Sequence, residues 1–338
     1  MFDASFRMPF YTLNCHLHMI CYVNAPRNLY KIRSSPVQAI PKSLVLVNKY
    51  ESGRFPEFKM QFGSNTDSTR GDSANFLFDQ VNSVGIIGGI SVYSTLNFLR
   101  KLVKLSSKDG KNPFPFVLCS DPILNEELLS FGRSSSLSLG SKGKHVQSNF
   151  SQIVQNLRNK RVFLENSGAR CIVMPCHISH SWHDEVSKGC SVPFLHMGEC
   201  VARELKEAKL KPLEAGSPLR IGVLATNATL DAGFYQEKLQ NEGFEVLLPD
   251  RATMEHTMIP AIDALNSKDI EGARNLIRIA LQVLLVRAVN SVILASDDMW
   301  DLLSQDDPLL KKCIDPMDAL ARSTIKWLKS AGKGVLEH

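Results

Sequence analysis

The chain alternates short, continuous apolar runs with longer segments whose apolar residues recur at helical spacing. The runs are rich in β-branched residues, which is typical of strands that are buried on both faces of a parallel sheet. These predicted strands are Val81–Gly89, Phe116–Ser120, Cys171–Met174, Leu219–Thr226, Glu245–Leu248 and Ser291–Leu294. The predicted helices are Ser94–Lys104, Phe150–Ser167, Met197–Ala208, Thr229–Leu239, Ile270–Val289 and Met317–Ala331.

This alternation predicts the α/β fold class, with two similar domains that each contain a parallel sheet, are related by pseudo-twofold symmetry and enclose a cleft. Turn-forming residues around Pro212–Pro218 place the domain boundary. The first predicted domain spans 81–212, with a C-terminal helix at 313–331 that packs back on it, and the second spans 213–312. Because ligands of open parallel sheets bind beyond the carboxyl ends of the strands, we expect the site in the cleft.

The positive charge of the chain is confined to its beginning. The 338 residues carry a formal net charge of +5. Residues 1–50 contain one acid, Asp3, and these basic residues: Arg7, Arg27, Lys31, Arg33, Lys42 and Lys49. Since the rest of the chain is close to neutral, we expect no nucleic-acid partner.

The first 50 residues have the pattern of a targeting segment. They are basic, poor in acids and rich in Ser, Asn and Pro, which favours a transit peptide over a disordered tail. We therefore expect a plastid (chloroplast) location, preferred over the mitochondrion; a merely disordered tail would instead indicate a cytoplasmic protein. The apolar stretch Phe10–Val23 is too short and interrupted to cross a membrane, so no membrane association is predicted. Residues 51–80 are interpreted as a linker.

The eight cysteines show no close paired spacing, which favours free thiols in a reducing compartment. Cys176 lies where a predicted strand ends and a helix begins, a position that lowers the pKa of a thiol. The corresponding turn in the second half carries Ser296 instead of a thiol. The two turns therefore predict a site with one reactive thiol.

Several segments resemble the aspartate/glutamate racemase family, the amino-acid racemases that work without pyridoxal phosphate. The matching segments are Val84–Thr95, Met174–His180, Val192–His196 and Ile221–Thr229, together with Phe234-Tyr235. In order and spacing they cover the chain from about Val81 to Leu328.

The resemblance implies a two-base inversion that needs no cofactor. One thiolate removes the α-proton of an amino acid, and a group on the opposite face returns a proton. Cys176 is implied as one base and Ser296 or Asp297 as the other. The matched segments and the strand ends give these substrate-binding candidates: Gly89, Ile90, Ser120, His177, Ile178, Ser179, Thr226, Thr229 and Asp298. Thr226 and Thr229 are equally compatible with donors to a carboxylate and with caps of the next helix.

The chain departs from the family pattern at the positions that carry the chemistry. His177 and Ile178 stand where the family has Asn and Thr, and Ser296 stands where it has the second Cys. The arginine expected to hold an acidic side chain falls on Glu127, which would repel one. Ordinary aspartate or glutamate racemisation is therefore not expected, whereas a neutral or cationic amino acid is compatible with the site. The alternatives are a degenerate member that binds an amino acid or a small carboxylate, and a one-thiol enzyme of the decarboxylase type.

Other patterns indicate weaker possibilities. His177, His180 and His183 are spaced by three residues, as metal ligands on a helix can be, but no acidic ligand accompanies them and we predict no metal site. Gly88-Gly89 lacks the full Gly-x-Gly-x-x-Gly form, so no dinucleotide cofactor is predicted. A homodimer is an expectation from the family alone.

Overall fold

The computed structural model describes residues 20–24, 83–89, 92–107, 114–137, 144–213, 216–296 and 299–333. The strands are β1 (Ile20–Asn24), β2 (Val84–Ile87), β3 (Phe116–Ser120), β4 (Cys171–Val173), β5 (Arg220–Ala225), β6 (Glu245–Leu247), β7 (Ser291–Ala295) and β8 (Cys313–Ile314). The helices are α1 (Val92–Ser107), α2 (Pro122–Leu137), α3 (Lys144–Asn166), α4 (His183–Ser187), α5 (Met197–Glu207), α6 (Asn227–Ala232), α7 (Phe234–Asn241), α8 (Arg251–Thr253), α9 (Ile259–Asn266), α10 (Ile270–Leu285) and α11 (Pro316–Lys333). Short 3-10 helices span Ile178–Trp182, Trp300–Leu302 and Pro308–Lys312, and a π-helical turn spans Met254–Met258.

The strands form two sheets with the same connectivity. In the first sheet β2 pairs in parallel with β3 and β4, and in the second β5 pairs in parallel with β6 and β7. The first parallel strand of each half thus lies between the second and the third. Strand β8 adds a fourth parallel strand beside β7. This arrangement confirms the predicted α/β class with two similar parallel sheets.

The N-terminal segment contributes an unpredicted strand. Strand β1 pairs antiparallel with β3, from Ile20 opposite Ser120 to Asn24 opposite Phe116. The side-chain pattern of residues 1–50 predicts no strand, because main-chain pairing to a sheet edge does not require a particular side-chain pattern. The predicted linker 51–80 lies outside the described residues, as do the site candidates Ile90, Asp297 and Asp298.

Two predicted helical segments are interrupted in the structure. The predicted helix Thr229–Leu239 is split into α6 and α7 at Gly233, whose φ of 70° is left-handed and ends α6. The range 313–331 is not one helix, because Cys313–Ile314 forms β8 before α11 begins. Asp315 separates the two elements, and its carboxylate accepts a hydrogen bond of 2.9 Å from the Met317 amide at the start of α11.

The last helix connects the end of the chain to the first half. Helix α11 packs against α1 and α5. Lys101 on α1 reaches Asp315 at 2.7 Å and Asp318 at 2.6 Å. One apolar cluster combines residues of both sheets, including Ile86 of β2, Val223 of β5 and Leu320 of α11. The two halves therefore share a core. Among the described residues, no helix combines the length and the apolar character needed to span a membrane.

Candidate active site

Cys176 lies just beyond the carboxyl end of β4, and its side chain is 1% exposed. It belongs to an apolar cluster with Ile87, Ile178 and Trp182 of the first half and Ala228 of α6 in the second half. The thiol is therefore enclosed where the two halves meet. The element after it is a five-residue 3-10 helix rather than the α-helix that the sequence predicts, so helix-dipole activation of the thiol is weaker than expected.

Glycine residues at the end of β2 bring three strand ends together. A Cβ atom at Gly89 would overlap the Cβ of Cys176, so only glycine allows this approach. A Cβ at Gly88 would lie 3.2 Å from the Cβ and the Oγ of Ser120, which follows from the adjacent position at the end of β3. The structure thus brings Gly89, Ser120 and Cys176 to one place, as the strand-end argument predicts for these candidates.

His177 connects the first half to the second. Its Nδ1 lies 2.9 Å from the hydroxyl of Tyr235 on α7, and both side chains are buried. Burial lowers the pKa of His177 to about 3, so the imidazole is neutral at physiological pH. Ile178 packs in the apolar cluster around Cys176 instead of contributing a polar group. Ser179 is buried as well, and its hydroxyl has no hydrogen-bond partner among the described residues.

The other histidines of this region form a neutral aromatic cluster. The ring centroids of His180 and His183 lie 4.9 Å and 4.6 Å from that of His196. His180 and His183 must donate through Nε2 to the carbonyls of Met174 and Phe194, because a carbonyl only accepts. The Nδ1 of His196 accepts from the Gly198 amide at the start of α5. Burial lowers the pKa of all three rings, to about 3 for His196. The hydrogen bonds thus place the proton of each neutral ring on Nε2.

The second half contributes Thr226 and Ser296 from neighbouring strands. Ala225 at the end of β5 pairs with Ala295 at the end of β7, so the residues that follow them lie side by side. The Thr226 hydroxyl donates to the Thr229 hydroxyl at 3.3 Å and does not cap α6. Helix α6, which Thr226 precedes, packs against α2 and the Ile178–Trp182 turn. Thr226 and Ser296 thus follow adjacent strand ends at the edge of the second half from which α6 reaches the first half, and Ser296 is half-buried.

The sequence profile of the Asp/Glu/Hydantoin racemase family matches residues 87–324. The chain belongs to this family. Among solved structures, an aspartate racemase homologue from Pyrococcus horikoshii OT3 is 20% identical, covers 73% of this chain and 99% of that chain, and superimposes with a TM-score of 0.57. The Picrophilus torridus aspartate racemase is 25% identical over 74% of this chain and 94% of its own, with a TM-score of 0.54. The broad specificity amino-acid racemase RacX of Bacillus subtilis (strain 168) is 32% identical over 89 residues, which are 26% of this chain and 35% of that protein.

This racemase-family chain contains a buried charge network that the sequence analysis does not predict. Lys160 on α3 is completely buried, and its Nζ lies 2.6 Å from Asp121, which follows β3 directly. Lys160 also donates to the side-chain oxygen of Asn156, whose amide donates to Glu127 at 3.2 Å. Glu127, which the resemblance aligns with an arginine expected to hold an acidic side chain, is thus engaged by Asn156. Neither the spacing nor the neighbours of Lys160 in the sequence distinguish it from an exposed helical lysine.

A second connection links this network to the glycine turn of the racemase-family fold. In the orientation that satisfies both of its polar atoms, the Asn125 amide donates to the carbonyl oxygens of Asp121, at 3.0 Å, and of Gly89. The backbone next to Cys176 is therefore held by α2 as well as by β2. Lys160 and Asn125 act on the site through other residues, and only the tertiary contacts reveal them.

Proposed function

We propose that this protein is a cofactor-independent amino-acid racemase in which Cys176 is the base on one face of the α-carbon. The observation that carries the proposal is the contact between Gly89 and Cys176. Because Gly89 has no side chain, its backbone lies directly against Cys176, at the point where three strands end. Family membership supports the same reaction class. A thiol has an ordinary pKa of about 8.5, so it can both accept and return a proton near neutral pH.

The proposed reaction removes one proton from the α-carbon and returns another, so it needs no redox partner. The Cys176 thiolate takes the α-proton, and the electron pair of the broken C–H bond is delocalised into the substrate carboxylate. A group of the second half then delivers a proton to the opposite face of the carbon. Ser296 or Asp297 is proposed for this step. A serine hydroxyl is a much weaker acid than a thiol, so Ser296 would pass on a proton supplied by a neighbour such as a protonated Asp297 carboxyl.

We propose a substrate with a neutral or cationic side chain. The buried cation Lys160 is neutralised by Asp121, and Glu127 adds a further negative charge to the same network, which reaches the glycine turn through Asn125. An acidic side chain would therefore meet repulsion without a counterion. The broad specificity in the name of the Bacillus subtilis relative is compatible with such a substrate. A plastid location and a homodimer remain predictions from the sequence and from the family.

Ser296 also supports a second candidate function. A site with one thiol can exchange the α-proton of one enantiomer, or protonate a carbanion after decarboxylation, without inverting a centre. A third candidate, a protein that binds an amino acid or a small carboxylate without turnover, follows from the same substitution.

The test is incubation of the protein in D2O with a panel of single-enantiomer amino acids, followed by measurement of α-proton exchange and of the enantiomer ratio. Exchange with inversion is expected for the racemase. A one-thiol enzyme is indicated either by exchange without inversion or by release of CO2. Ligand-dependent thermal stabilisation without exchange indicates the binding protein. Cys176→Ala should abolish exchange, whereas Cys200→Ala, an equally buried thiol on α5, should retain it. Retention of activity by Cys176→Ala would refute the assignment.

A further inference from the structure

His177, which follows Cys176 in the chain, forms a hydrogen bond across the boundary between the two halves. His177 belongs to the first half and Tyr235 to α7 of the second, and 2.9 Å separates Nδ1 from the Tyr235 hydroxyl. Tyr235 is among the largest completely buried side chains, and His177 is almost fully buried. A hydrogen bond in such surroundings is exchanged for water only when the two halves separate.

The aromatic residues around this bond hold Tyr235 in place. The ring of Phe234 lies 4.4 Å from that of Tyr235 and 5.4 Å from that of His196, measured between centroids. Tyr235 therefore cannot follow a movement of His177 without disturbing the packing of α7. Because burial keeps His177 neutral, the pair acts through hydrogen-bond geometry rather than through a charge on the ring.

We propose that His177 and Tyr235 are a positioning pair that fixes the Cys176 thiol relative to the groups of the second half. Cys176 and His177 share a peptide bond, so a shift of His177 moves the thiol. The same bond joins the half that carries Cys176 to the half that carries Ser296. The pair therefore sets the separation of the two proton-transfer groups. The inference rests on the proposed function in that Cys176 and a group of the second half are taken as the two proton-transfer groups.

The pair can be tested without any assumption about turnover. Tyr235→Phe removes only the hydroxyl, and the rate at which iodoacetamide alkylates Cys176 is followed by peptide mass spectrometry. We expect this rate to rise about fivefold, the change in an opening equilibrium expected for the loss of one buried hydrogen bond. Thr324→Val is the matched control, because it removes a completely buried hydroxyl that bonds to Leu320 within α11. The control should leave Cys176 alkylation unchanged.

A second variant separates positioning from packing. His177→Asn shortens the side chain so that it no longer reaches Tyr235, and we expect the same increase in alkylation. The double variant should not exceed either single variant, because each of the three variants lacks the hydrogen bond between His177 and Tyr235. His177→Asn also tests the pair if Tyr235→Phe does not fold. Equal alkylation rates in Tyr235→Phe, His177→Asn and Thr324→Val would overturn the proposal, and so would additive effects of the two site variants.

Kinetics distinguish failure of this inference from failure of the proposed function. With an amino acid that the protein turns over, Tyr235→Phe should lower kcat about tenfold or more and change KM little, since misplacement of a base affects the transition state most. Unchanged kcat would overturn the positioning role even if racemisation is established. If the wild-type protein turns over no amino acid, the proposed function fails, and the alkylation rates still decide whether the pair positions Cys176.

Discussion

Replacing Lys160 or Asp121 should destabilise the protein to different extents, because the two charges are buried to different degrees. Lys160 has no exposed side-chain surface, whereas Asp121 is 17% exposed and also accepts a hydrogen bond of 3.0 Å from the Ile123 amide. Asp121→Asn leaves a buried ammonium group without its counterion. Lys160→Met keeps the apolar stem and leaves a carboxylate that water and a backbone amide can stabilise.

The expected magnitudes follow from this asymmetry. Loss of one partner of a buried ion pair costs about 3–5 kcal/mol, which we expect for Asp121→Asn. Lys160→Met should cost about 1–2 kcal/mol, the range for a partly satisfied polar group that loses one bond. The double variant removes both charges, so its cost should be smaller than the sum of the two by about 2 kcal/mol.

Urea unfolding followed by circular dichroism measures these free energies. Lys206→Met is the control, because Lys206 forms an ion pair with Glu242 while its side chain is 66% exposed; its loss should cost less than about 1 kcal/mol. A cost of Lys160→Met equal to that of Asp121→Asn, or strict additivity in the double variant, would show that unequal burial does not control the energetics of this pair.

The remaining predictions concern the glycine turn, acid stability and the second base. Gly89→Ala should lower stability by about 3 kcal/mol and displace Cys176. Gly88→Ala, whose new methyl group would lie 3.2 Å from Ser120, should cost about 1 kcal/mol. Thermal unfolding measures both costs, and equal costs would contradict the close approach of Gly89 to Cys176. The free energy of unfolding should fall as the pH drops from 6.5 towards 4, by up to about 1.4 kcal/mol per pH unit for each ring. The reason is that the histidines bind protons in the unfolded chain but stay neutral while they are buried in the folded protein. Urea titrations at several pH values should show that about three protons are taken up on unfolding. An uptake of less than one proton would refute the burial argument. The rings concerned are those of His177, His180 and His196. Ser296→Cys should increase inversion relative to α-proton exchange, as measured by chiral chromatography in D2O, and an unchanged ratio would argue against Ser296 as the position of the second base.

Much of the fold follows from local patterns. The strand Phe116–Ser120 has the predicted bounds, since a continuous apolar run between a proline and an aspartate leaves little freedom for its ends. The two-residue strand β8 has no pattern to detect, and helix α2 begins at a proline within a segment that reads equally well as a loop. The break at Gly233 depends on a positive φ that glycine permits but does not require.

The candidate site shows the same division. The sequence by itself predicts Cys176 and Gly89 as candidates that lie together, because both follow apolar strands and strand ends of parallel sheets gather at one edge. It cannot show that Gly89 touches Cys176, that Lys160 is buried against Asp121, or that His177 meets Tyr235. Local sequence determines which segments become strands and helices, since periodicity and turn chemistry act over a few neighbouring residues. Burial and pairing of single side chains are decided only when distant segments pack, and in this protein those contacts surround the thiol.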